Sequence, residues 1–187
     1  MSKEYRYNSY KEAMKAVKEH WLELKYVRPD LQTTEMAFEA VKNWGGNLKY
    51  VRPDLQTPEM ALEAVKGGLW ALEYIRPDLQ TPEMAMTAVK EWGGNLEHVR
   101  PDLQTPGLAM IAAKNWGFNL KYIREGLITP EMALIAVKKW GFNLKFISAH
   151  LQTQEVIEAA LKQDPSAKQY IKTKGLMMEV LEEALGD

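Results

Sequence analysis

A ring-bearing residue followed by Val or Ile returns every 24 residues along this chain: Tyr26-Val27, Tyr50-Val51, Tyr74-Ile75, His98-Val99, Tyr122-Ile123, Phe146-Ile147 and Tyr170-Ile171. The interval never slips, and the other columns fall into register with it. A fixed period of about 20–50 residues marks a supersecondary unit that stacks on copies of itself, which narrows the possible folds more than composition does. Counted from the Ser/Thr column (Ser9, Thr33, Thr57, Thr81, Thr105, Thr129, Thr153), seven repeats run 9–32, 33–56, 57–80, 81–104, 105–128, 129–152 and 153–176, with a C-terminal cap at 177–187. No linker or shift in composition divides them, so 1–187 is expected to be a single domain.

Each repeat is expected to be two helices. In 57–80, Thr57 caps the first turn, Pro58 suits the first helical position, where its missing N–H costs nothing, and Glu59 complements the positive helix end. Met60, Ala61, Ala64 and Val65 then follow helical periodicity. Gly45, Gly93, Gly117 and Gly141 are placed to stop the helix in the left-handed conformation, and Asn47, Asn95, Asn119 and Asn143 to cap the next one. The second helix, such as Leu48 to Arg52, ends where Pro53 biases its predecessor away from the helical region. A Pro-Asp-Leu turn follows, with Leu31, Leu55, Leu79, Leu103, Leu127 and Leu151 as its core anchors.

One such pair has too little apolar surface to fold alone, but stacked neighbours share a continuous core. The expected fold is therefore all-α, an α-solenoid of seven 24-residue helix-pair repeats with a C-terminal capping helix and no strands. Lys172 to Leu185 continues the apolar pattern with Glu179, Glu182 and Glu183 on its other side, as a closing helix requires.

The string L-x-Y-V-x-x-x-L-x-T-P-E-x-A-x-x-A-V-K, nearly intact in Leu48 to Lys66 and Leu72 to Lys90, resembles an uncharacterised bacterial tandem-repeat family known as a domain of unknown function, whose unit looks like two of these helix pairs. The resemblance weakens after Arg124, where Pro-Asp becomes Glu125-Gly126 and then Ala149-His150. It implies an α-helical repeat and supplies no activity, cofactor or catalytic residue.

Composition excludes several classes. A net charge of -1 lacks the basic excess that phosphate binding requires, which disfavours nucleic acid as a partner. Without Cys there is no disulfide, thiolate nucleophile or Cys-bound zinc, in keeping with a cytoplasmic location. The first residues, MSKEYRYNSYKEAM, hold no apolar run, and no later stretch reaches the roughly 18 apolar residues of a spanning helix, so neither signal peptide nor membrane anchor is expected. His20, His98 and His150 occupy different columns, no nucleophile, phosphate-loop or metal motif is present, and no cofactor or catalytic site is expected.

Several columns carry both a folding and a functional reading. Lys18, Lys42, Lys66, Lys90, Lys114, Lys138 and Lys162 face away from the buried stripe beside a column of Glu, either as a solvated face or as a basic ladder. Arg28, Arg52, Arg76, Arg100 and Arg124 stand two residues before Asp30, Asp54, Asp78 and Asp102 in all but the last case, and are expected to pair with the Asp of the next repeat. Trp44, Trp92, Trp116 and Trp140 are expected in the core or at its rim, with Trp21 and Trp70 as displaced equivalents.

Departures from the repeat are the best functional signal. The column of Lys15, Glu39, Glu63 and Thr87 becomes Ile111 and Ile135, and that of Gly46 and Gly94 becomes Phe118 and Phe142, in the same two adjacent repeats. Large apolar residues on a polar face can mark an interaction patch. Met110 and Leu134 extend the candidate patch, and Trp70 is a further partner-binding candidate; the folding alternative is filling of a locally changed curvature. The favoured function is a non-catalytic, protein-binding repeat scaffold that holds, inhibits or recruits another protein. Its alternatives are a nucleic-acid-binding helical repeat, then an enzyme or an engineered scaffold. Self-association is left open.

Overall fold

The computed structural model describes residues 5–68 and 70–172, and the expected cap at 177–187 lies outside the described residues. These residues form seven α-helices of 10 residues each: α1 (Tyr10–Glu19), α2 (Thr34–Asn43), α3 (Pro58–Gly67), α4 (Pro82–Glu91), α5 (Pro106–Asn115), α6 (Pro130–Lys139) and α7 (Gln154–Gln163). No strand occurs among the described residues. The fold is all-α, with the repeated packing of a helical solenoid inside each of two compact units, Met1–Leu103 and Gln104–Asp187.

Every helix opens on the expected cap. The Thr57 hydroxyl oxygen accepts from the Met60 amide at 3.2 Å, and Ser9, Thr33, Thr81, Thr105, Thr129 and Thr153 do the same in their repeats. The stripe after the cap is buried: Met36, Ala37, Ala40 and Val41 in α2, Met60, Ala61, Ala64 and Val65 in α3, Met132, Ala133, Ala136 and Val137 in α6. Two Ala per stripe let neighbouring helices approach closely, while Met, Leu48 and Val51 fill the remaining volume. In the first unit α1 packs on α2, α2 on α3 and α3 on α4; in the second, α5 packs on α6 and α6 on α7.

The helix ends differ from expectation. Trp44 leaves α2 in extended backbone (φ -157°, ψ 114°), and Gly45–Tyr50 then winds as a 3-10 helix that begins three residues earlier than the expected second helix. Gly45 is not left-handed; it is needed because a Cβ there would overlap the Ala64 carbonyl of the next helix. Asn47 caps backwards. Its Nδ2 donates to the Ala40 carbonyl at 2.9 Å, seven residues earlier, and Asn95, Asn119 and Asn143 repeat the contact on Ala88, Ala112 and Ala136. The Ala40 carbonyl also accepts from the Trp44 amide at 3.2 Å, so the inward carboxamide takes its second lone pair and ties the 3-10 helix to the end of α2.

Pro53–Leu55 forms the separate turn, also 3-10, but its Leu is only half-buried, as are Leu31, Leu79, Leu103, Leu127 and Leu151. The residue that joins the turn to its neighbour is the next one. Gln56 is buried, its Nε2 donates to the Tyr74 carbonyl at 2.9 Å and its Oε1 accepts from the Arg76 amide at 3.0 Å. Gln32, Gln80, Gln104 and Gln152 hold the equivalent pairs, Tyr50 with Arg52, His98 with Arg100, Tyr122 with Arg124 and Tyr170 with Lys172. Each carboxamide therefore acts as a clasp from one repeat to the next.

The arginines add a second link. Arg52, Arg76 and Arg100 each bind the Asp two residues on, through two nitrogens, and reach back to the carbonyl of Pro29, Pro53 or Pro77 in the preceding repeat. The ladder thus joins Arg to backbone rather than to the next repeat's Asp. A guanidinium fork has enough donors for both tasks.

Candidate functional site

The indoles occupy two kinds of position, decided by the residue two places later. A Cβ on Gly46 or Gly94 would collide with the six-membered ring of Trp44 or Trp92, so each indole lies over its glycine and is half-buried. In repeats five and six Phe118 and Phe142 stand at the glycine position, where a Cβ and ring leave no room for an indole folded as in Trp44, and Trp116 and Trp140 are 43% and 47% exposed. Phe118 lies 4.8 Å from Phe142, 5.8 Å from Phe146 and 5.8 Å from Trp116 between ring centroids. The result is a continuous aromatic row on the second unit.

Two lysines lie over this row. The Lys121 ammonium is 4.2 Å from the Tyr122 centroid and 5.6 Å from Phe118, and Lys145 is 4.7 Å from Phe146 and 5.8 Å from Phe142. A cation over a ring face is attracted by its quadrupole, which holds the ammonium groups against the aromatic surface. Repeats five and six together carry Lys114, Lys121, Arg124, Lys138, Lys139 and Lys145 against Glu125 and Glu131, whereas repeats two and three are acidic in balance. Lys139 spends its charge within the fold, donating to the Lys114 and Asn115 carbonyls at the negative end of α5.

The sequence candidates divide. Phe118 and Phe142 meet, as their joint appearance suggested, and both are half-buried. Met110, Ile111, Leu134 and Ile135 are also half-buried rather than fully outward. The corresponding Phe38, Glu39, Leu62, Glu63, Met86 and Thr87 are half-buried too. Trp70 belongs to the first unit, where it is 50% exposed and meets Trp92 at a tilt of 57°, with 4.1 Å between ring centroids. The sequence reading favours packing for the Trp column with partly exposed aromatics as its alternative, and Trp116 and Trp140 follow the alternative; the Gly-to-Phe change two residues later is the signal that singles them out.

Displaced ionisations lie outside this row. Burial and the 2.6 Å hydrogen bond to Glu23 push Tyr7 up to about 12, and the Arg76 guanidinium beside Asp78 lowers that carboxyl, with Arg100 of the next repeat adding to the effect. Both belong to ties between chain segments. Among the described residues no helix is long and apolar enough to cross a membrane.

The stacked 3-10 and α-helical pairs define a helical-repeat protein. Within it, residues 33–80 match a family described as a domain of unknown function (DUF4116). The matched span opens on the Thr33 cap and closes on the Gln80 clasp, and so covers two repeats. No curated protein and no solved structure matches the chain.

Proposed function

We propose that this chain is a non-catalytic, protein-binding repeat scaffold, and that its aromatic row on repeats five and six engages a partner segment combining apolar and acidic side chains. The observation that carries the reading is the exposure of Trp116 and Trp140, in the two repeats where Phe118 and Phe142 stand in place of the glycine that lies under Trp44 and Trp92. Exposed indoles supply large contact area at little entropic cost, and such residues dominate protein interfaces. The same repeats hold Ile111, Ile135 and Gly126 where repeats two and three have Glu39, Glu63, Asp54 and Asp78, leaving a basic balance that suits an acidic partner. A cytoplasmic setting accompanies the proposal and fits a chain without cysteine.

Affinity capture with mass spectrometry, run on the unsubstituted chain and on Trp116→Ala with Trp140→Ala, tests this. Loss of specific partners with an unchanged circular dichroism melt supports the row as the binding surface; an unchanged partner set rejects it. Lysines lying over clustered aromatic rings also favour a second reading, single-stranded nucleic acid whose bases stack on the row. A salt-sensitive gel shift with short RNA or DNA would favour it, and the absence of any shift removes it.

A further inference from the structure

The clasp is broken once between described repeats. The column of Gln32, Gln56, Gln80, Gln104 and Gln152 holds Ile128 in repeat five, which has no side-chain donor or acceptor. By the spacing of the other clasps, the backbone pair left without a carboxamide is the Phe146 carbonyl and the Ser148 amide. The Ser148 backbone is like that of its equivalents: φ is -65° and ψ 149°, against -60° and 142° at Arg28 and -52° and 135° at Arg76. The second tie is lost as well, because Ser148 stands where Arg52, Arg76 and Arg100 reach back to the preceding turn. That turn is rebuilt as Glu125-Gly126, with Gly126 at φ 88°, the one positive φ among the described residues.

A groove of about 320 Å³ opens at this point, lined among others by Gly126, Ile128, Phe146, Ser148 and His150. We propose that it is a binding site for a primary carboxamide, specifically the glutamine side chain of a peptide segment, which supplies from outside the clasp that the chain supplies from within elsewhere. Five sister positions show the recognition chemistry: one carboxamide donates to the carbonyl and accepts from the amide two residues later, at 2.7–3.1 Å. A carboxylate lacks the donor and an ammonium lacks the acceptor, whereas one carboxamide carries both at the separation the sister positions use. Ile128 provides an apolar wall for the ligand's methylenes. This proposal does not depend on the aromatic row.

The test is a 15N–1H titration of the full chain with N-acetylglutamine N-methylamide, with the glutamate and norleucine counterparts and free glutamine as separate arms, following the Ser148 amide. The expected result is a saturable downfield shift of Ser148 with the blocked glutamine probe, absent with glutamate and norleucine. Ile128→Gln should show Ser148 already downfield, no response to the probe and a raised melting temperature. No Ser148 response, an equal response to norleucine, or an undiminished response in Ile128→Gln would overturn the site. A response to free glutamine alone would overturn the peptide as its source.

Discussion

Trp44 lies over Gly46 so closely that no β-carbon fits between the indole and the glycine backbone. Trp92 and Gly94 repeat the arrangement. Gly46→Phe is therefore expected to expel the Trp44 indole, as Phe118 does to Trp116. The measurement is acrylamide quenching of tryptophan fluorescence, with an increased quenching constant and a red-shifted emission in the variant. Unchanged quenching would show that the glycine does not control the indole.

The Gln clasp should dominate the stability of the turn edge. In Gln56→Ala the Tyr74 carbonyl and the Arg76 amide lose their partner, and each group left unsatisfied costs about 1–3 kcal/mol. Arg28→Ala, by contrast, removes an exposed ion pair worth about 1 kcal/mol or less. Urea denaturation of the two variants should separate them in that order.

Two glycines should respond oppositely to alanine. Gly45→Ala drives a Cβ into the Ala64 carbonyl, which belongs to a packed backbone and cannot yield cheaply, so the variant should be strongly destabilised. Gly107 lies in the first turn of α5, where a Cβ meets nothing within 4 Å. Gly107→Ala should stabilise by up to about 1 kcal/mol through reduced backbone entropy in the unfolded chain. Thermal melts check both signs.

Much of this fold is visible in the sequence because local rules and the period agree. Thr caps, N-terminal prolines and the Met-Ala-Ala-Val stripe are each satisfied within one repeat, so their reading survives without knowledge of neighbours. What was hidden depends on contacts between repeats. Gln56 reads as a polar loop residue until Tyr74 and Arg76 are placed beside it, and Gly45 reads as a left-handed stop until Ala64 is. Asn47 lies next to a helix start in sequence yet serves the end of the previous helix. In the candidate surface, the paired appearance of Phe118 and Phe142 was legible, but its effect on Trp116 and Trp140 is steric and required coordinates.

The ionisation of Tyr7 sets an alkaline limit. Its hydroxyl donates to Glu23 and remains protonated up to about 12 in the folded chain, against an ordinary value of 10.0 when unfolded. A raised folded value means that its stabilisation is complete below pH 10 and is lost as pH rises from there through about 12. Tyr7→Phe should flatten the fall in stability over that window, read from urea midpoints at successive pH values. At the acid end the lowered Asp78 carboxyl works the other way: its contribution is present above its ordinary value of 3.8 and disappears as pH falls below it.

The proposed grip on another protein depends on Trp116 and Trp140 staying exposed beside Phe118 and Phe142. It is tested most directly by comparing partner capture by the natural chain with capture by Phe118→Gly combined with Phe142→Gly, after circular dichroism has confirmed that the helices persist. The variant keeps Trp116 and Trp140 but gives each a glycine to fold over, so the account predicts loss of the captured partners together with reduced acrylamide quenching. Capture of the same partners by a variant whose indoles have withdrawn would contradict it.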